Sequence, residues 1–264
     1  MINLINIELL KIRGSKTFWI LLLLYIGLIT PIVIGFEDIL SSTTMIDPNT
    51  SQEISIFDGV SVFSYPDIWH NISYLGQAFQ LLLGIVVITL VANEYRYGTL
   101  KQNLMDGLSR WDLVMSKEWV IVLLSVLSSI VLMAIVLIMG KNPGGINIWD
   151  GSIYILSYFL SCLLYLNFAF LLSVWIKRSG LTIGLLLMYS LILERLIRSG
   201  LPDSIANYFP MKVRANLIPE PFSRLIDRSI DMGLTVQTAG LSLVYIALFI
   251  GLIYMMMRKG KGVL

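Results

Sequence analysis

Six mostly apolar stretches of about 20 residues run through this chain, at positions 18–36, 72–92, 119–139, 153–176, 181–199 and 234–257. Only the fifth, with Glu194, Arg195 and Arg198, carries more than an occasional charge. A helix rises about 1.5 Å per residue, so about 20 residues cover a hydrocarbon core of about 30 Å. In that solvent each backbone N–H and C=O needs a partner within the protein, and a helix supplies one. The expected fold is therefore an all-α integral membrane protein with six transmembrane helices. Composition agrees: 56% of the 264 residues are hydrophobic and 14% charged, against about 25% charged in soluble domains. No segment reads as a soluble domain, so residues 1–264 are expected to form one membrane domain.

The basic residues set the orientation. Six crossings place both termini on one side, and that side carries Lys11, Arg13, Lys16, Arg96, Lys101, Arg110, Lys117, Lys177, Arg178, Arg258, Lys259 and Lys261. The first opposite loop, residues 37–71, has no Lys or Arg, and the second has Lys141 as its one basic residue. The positive-inside rule then makes both termini cytoplasmic in a multi-pass protein of the plasma membrane. The last outer loop departs from the trend with Lys212, Arg214, Arg224 and Arg228. Residues 1–16 put Ile2, Ile5, Leu9 and Ile12 on one helical face, as in an interfacial helix. A basic lead before an apolar run also describes a secretory leader. This run is too long for one and no small-residue cleavage site follows it, so a retained span is expected.

Residues 93–118 are the most structured polar interruption. Thr99 with Gln102 has the form of a capping box, and Gly107 suits the left-handed residue that closes a helix. Ser109 with Asp112 resembles a second helix start leading into the third span. The pattern describes a short helix over residues 100–106, with Tyr97, Leu100 and Leu104 on its apolar side. An ordinary polar hairpin between spans fits the same residues.

The run Glu94-Tyr95-Arg96-Tyr97-Gly98-Thr99-Leu100, followed by Gly107-Leu108-Ser109-Arg110 and then Ser116-Lys117, resembles the permease subunits of type-2 ATP-binding-cassette (ABC) transporters. The amino-terminal element with Glu8, Leu9, Lys11 and Arg13 is similar too, as are the length and the large final outer loop. The resemblance implies that Glu94, Arg96, Gly98, Thr99, Leu100, Lys101, Leu104, Ser109, Arg110 and Lys117 form a cytoplasmic coupling helix and its mounts. Trp111 and Asp112 depart from the pattern. It also implies cytoplasmic ABC ATPase subunits as partners, a second permease as homo- or heterodimer, surrounding lipid, and substrate export. No nucleic-acid partner is expected.

No cofactor is expected on this chain, with ATP and Mg belonging to the partner ATPase. Gly14-Ser15-Lys16-Thr17 lacks the glycines of a phosphate loop and leads into a span rather than following a strand. Catalytic and metal-ligating sets are likewise not expected: Cys162 and His70 are the only residues of their kinds. His70 reads as an interfacial anchor and Cys162 as a small core residue. Glu194, Arg195 and Arg198 form a charge cluster near the outer end of the fifth span. Glu194 and Arg198 are four residues apart, which favours an interface-level pair over an intramembrane site. Gly76, Gly84 and Gly184 are candidates for close helix contacts. Two other functions stay open: a non-transporting scaffold or sensor tied to an ATPase, and a polytopic membrane enzyme, whose catalytic set the sequence does not supply.

Overall fold

The computed structural model describes residues 8, 10–42, 44–46, 53–55, 63–142, 145, 147–221 and 234–259. Its long elements are α1 (Lys16–Ser42), α2 (Asp67–Tyr97), α3 (Thr99–Met105), α4 (Arg110–Met139), α5 (Ile153–Ile176), α6 (Ser179–Ser199), α7 (Pro210–Leu217) and α8 (Val236–Lys259). Five of them, α2, α4, α5, α6 and α8, are long and apolar enough to cross a membrane. In α1 the apolar part found among the described residues, Lys16–Pro31, is shorter than a span, although the helix runs 27 residues through Pro31. The expectation of helices alone needs one correction. Thr44–Ile46 and Glu53–Ser55 pair as antiparallel strands within the loop after α1, with Met45 opposite Ile54. Residues 1–7 and 9 of the expected interfacial helix lie outside the described residues, as do Phe222, Leu225, Ile226 and Ile230, whose helical spacing suits a second interfacial helix in the loop before the last span.

The helices extend past the apolar segments that announce them. α2 begins at Asp67 without a side-chain cap, its first turn held by backbone bonds from Ile68 N to Ser64 O and from Trp69 N to Pro66 O. By contrast, α4 begins at Arg110 behind a Ser109–Asp112 cap. α5 is the central helix and packs on α2, α4, α7 and α8. It is apolar on nearly every side, which is the pattern of a helix surrounded by others. Of its apolar window 72% is buried, against 17% for α6 and 22% for α8, which lie at the periphery.

Close approach in the centre depends on small residues. A Cβ on Gly76 would sit 2.7 Å from Leu132 Cδ1 and 3.0 Å from Tyr158 Cε2, and one on Gly84 3.1 Å from both Leu186 and Tyr165. Gly184 has open space beside it among the described residues. The interior hydroxyls satisfy one another, with Tyr25 OH, Ser128 Oγ and Tyr158 OH mutually 2.7–3.1 Å apart. His70 is buried among protein groups. Its ring stacks on Tyr154 with centroids 4.4 Å apart, and its Nε2 bonds the Pro219 carbonyl at 2.8 Å. It anchors one protein segment to another.

Candidate functional site

Residues 93–118 divide among three helices: the last turn of α2, the whole of α3 and the first turns of α4. Gly98 joins the first two. With φ 69° and ψ 9° it ends α2 and serves as the N-cap of α3, a left-handed conformation that a Cβ would strain. The expected Thr99–Gln102 box is therefore not formed. Thr99 is already inside the helix, and the N–H groups of Lys101 and Gln102 bond the Gly98 carbonyl instead. At the other end Gly107 has φ 92°. Its N–H bonds Leu104 O, and that of Leu108 bonds Asn103 O, the paired bonds of a Schellman closure. The Ser109–Asp112 capping box is present in both directions, at 3.1 and 3.3 Å.

The left-handed turn at Gly98 resets the helical phase. Leu100 is buried and Leu104 half-buried against the bundle, but Tyr97 is 69% exposed, off their face. Arg96 stands 5.6 Å from the Tyr97 ring centroid, and Arg96 and Lys101 are both exposed. Arg110 donates from Nη1 to the Arg258 carbonyl at 2.5 Å, a cation placed at the negative end of α8. Trp111 packs edge-on to Tyr254 beside it.

Glu94 and Lys117 face inward. Lys117 Nζ donates to Glu94 Oε1 at 2.5 Å and to Glu8 Oε2 at 2.6 Å. Lys11 Nζ donates to the same Glu94 oxygen at 2.7 Å and to Glu8 Oε1 at 3.0 Å. Glu8, Glu94 and Lys117 are each more than nine-tenths buried. Two carboxylates and two ammonium groups thus balance in a closed cluster that joins the amino-terminal segment to the ends of α2 and α4. Such a cluster contributes little net stability, but removing one member leaves a buried charge uncompensated. Sequence reading found Glu94 and Lys117 and noticed Glu8 and Lys11 only as part of an amino-terminal resemblance. The usable signal was their three-residue spacing in an otherwise apolar segment.

The cluster also sets a pH dependence. Burial alone would raise the Glu8 carboxyl, but the Lys117 and Lys11 ammonium groups outweigh it and hold it below its ordinary 4.5. Burial alone would lower Lys11, but the bond and charge of Glu94, with Glu8, raise it above its ordinary 10.5. A depressed acid contributes stability above its unfolded value and loses it as pH falls through the folded one. A raised base contributes below its unfolded value and loses stability as pH rises through the folded one. The melting midpoint should therefore be level across neutral pH and fall at both extremes. Glu8→Gln should remove part of the acid limb, as thermal melts in detergent across pH would record.

Toward its C-terminal end, α6 widens into a π-turn over Tyr189–Leu193 immediately before Glu194. Glu194 is 1% exposed and accepts from Met211 N at 3.0 Å and Lys212 N at 2.7 Å, the free donors at the start of α7. Arg198 Nε lies 3.8 Å away and Arg195 is exposed. Arg214 on α7 then reaches into the bundle. Its Nε donates to Gln80 Oε1 at 3.0 Å, its Nη2 to Gln77 O at 2.6 Å, and its guanidinium lies 4.5 Å from the Tyr165 centroid. One of the basic residues that broke the charge trend of the last loop is thus a packing residue. The loop position gave no sign of it.

Among the described residues no group of His, Cys, Asp and Glu could hold a metal. Comparison with curated proteins gives no match. A family profile described as an ABC-2 family transporter protein matches residues 4–193, from the amino-terminal segment through α2, α3, α4, α5 and most of α6. With that match covering well over half of its length, the chain belongs to the ABC-2 family of membrane transporter proteins.

Proposed function

We propose that this chain is the permease subunit of an ATP-driven exporter in the plasma membrane, working as a dimer with ATPase subunits on separate chains. The family match over residues 4–193 supports the reading. The observation that carries it further is the mounting of α3. The helix has a glycine turn at each end, buries Leu100 in the bundle, and is preceded and followed by members of one buried charge cluster. A push on such a helix would reach α2, α4 and the amino-terminal segment together, since packed and ion-paired elements move as units. In this reading α1 supplies a sixth crossing, both termini face the cytoplasm, and residues 93–118 meet the ATPase through exposed Arg96, Lys101 and Gln102. ATP and Mg bind the partner, and this chain catalyses nothing.

The test uses the exposed residues, because the buried ones would disturb folding. Tagged wild-type protein should co-purify with an ABC ATPase subunit. An Arg96→Glu, Lys101→Glu variant with an unchanged melting midpoint should lower ATPase capture about tenfold through charge reversal at the interface. Equal capture, together with unaltered ATP turnover in proteoliposomes, would remove residues 93–118 from the coupling role.

A further inference from the structure

The cations at this end of the bundle are not all consumed by the buried cluster. Arg96 and Lys101 line one side of an open cleft of about 600 Å³, and Lys177 and Arg178 line another. None of these four makes an ion pair with a carboxylate among the described residues. Glu94 also borders the cleft, with its Oε1 held by Lys11 and Lys117 and its Oε2 buried without a hydrogen-bond partner among the described residues. Ser179 and Gly180 join the lining as the first residues of α6, where backbone N–H groups have no acceptor within the helix. The turn is built to place them. Lys177 adopts φ 60° as it ends α5, and its Nζ lies 5.5 Å from the Tyr95 ring centroid. The cleft therefore gathers unneutralised cations and free donors.

Its level in the membrane is marked by Trp175, two residues before Lys177 and 64% exposed at the end of α5. Exposed tryptophans of this kind sit at the headgroup boundary. We propose that the cleft holds the phosphate-bearing headgroup of an anionic phospholipid from the adjacent leaflet. A phosphate oxygen accepts from ammonium, guanidinium and backbone N–H groups alike. The acyl chains would leave past Trp175 along the apolar surface of α6. The headgroup contacts would come from Lys177, Arg178 and the N–H groups of the 179–180 turn, so lipid would brace that turn beside the short helix and leave Lys101 to the ATPase contact. The proposal does not need a docked ATPase.

The experiment reconstitutes the full chain in nanodiscs of equal phosphatidylglycerol and phosphatidylcholine, then extracts it gently and weighs the retained lipid by native mass spectrometry. Wild type should retain phosphatidylglycerol preferentially. Lys177→Gln, Arg178→Gln should lower that preference roughly 30-fold, since each basic residue near an anionic surface is worth about fivefold. A Lys177→Arg, Arg178→Lys variant should keep it. If the double glutamine variant does not fold, Arg178→Gln alone should show the fivefold loss. Retained preference in the glutamine variants would overturn the proposal. So would a wild type that shows no preference but binds inorganic phosphate alone, which would make the cleft a soluble-anion site. A wild type without lipid preference whose capture of the ATPase fails in the glutamine variant would identify a protein interface instead, and would equally overturn it.

Discussion

Replacing Glu94 with alanine is expected to destabilise the protein by about 3–5 kcal/mol, the usual cost of stripping one partner from a buried ion pair. Glu94 Oε1 is the shared acceptor of Lys117 and Lys11, at 2.5 and 2.7 Å. Its loss leaves Lys117, itself 5% exposed, with only the Glu8 carboxylate. Glu94→Gln should cost less, because an amide oxygen can still accept one bond although the charge is gone. Lys117→Met on top of Glu94→Gln should recover part of the loss by removing the orphaned charge. Unfolding in detergent reads all three, and protease access to the amino-terminal segment should rise in the same order. Additive effects of the Glu94 and Lys117 substitutions would mean that the four residues do not act as a unit. Lost transport in Glu94 variants would not by itself reveal an ATPase contact, since the mount of α3 fails first.

Glu194→Ala should cost about 3 kcal/mol. It deletes two bonds from backbone N–H groups to a carboxylate, each worth about 1.5–3 kcal/mol. The two donors, on Met211 and Lys212, open α7, and Met211 is buried. Once α7 is released, Arg214 loses the position from which it reaches Gln77, Gln80 and Tyr165. The variant should therefore melt earlier and be cut faster by protease in the 200–221 segment. Glu194→Gln, which keeps one oxygen acceptor, should fall about midway. A Glu194→Ala protein that melts with the parent and resists protease equally would show that α7 is held by its apolar contacts through Val213 and Leu217.

The sequence by itself determined the long apolar elements. Apolar length specified six spans, because backbone groups in hydrocarbon must pair within their own segment. Five of the corresponding helices are long and apolar enough to cross a membrane among the described residues. Local chemistry specified the Gly107 closure and the Ser109 cap, because each involves atoms only a few residues apart. Adjacent-residue chemistry also misled where a neighbour competed. Gly98 took the N-cap position from Thr99, and its left-handed turn moved Tyr97 off the face of Leu100 and Leu104.

Only the tertiary structure decided what the charged residues do. Glu8 and Lys117 stand 109 positions apart, and Arg214 and Gln77 stand 137 apart. No periodicity links such positions, since their partnership depends on how the helices pack. Packing turned Glu94 and Lys117 into members of a buried mount and left Arg96 and Lys101 on the surface. It also converted Glu194 from half of a helix-surface pair into the cap of another helix. The physical reason is the solvent. Inside a bilayer-spanning bundle a charge must find a partner from another helix, and the sequence names the charge without naming the helix.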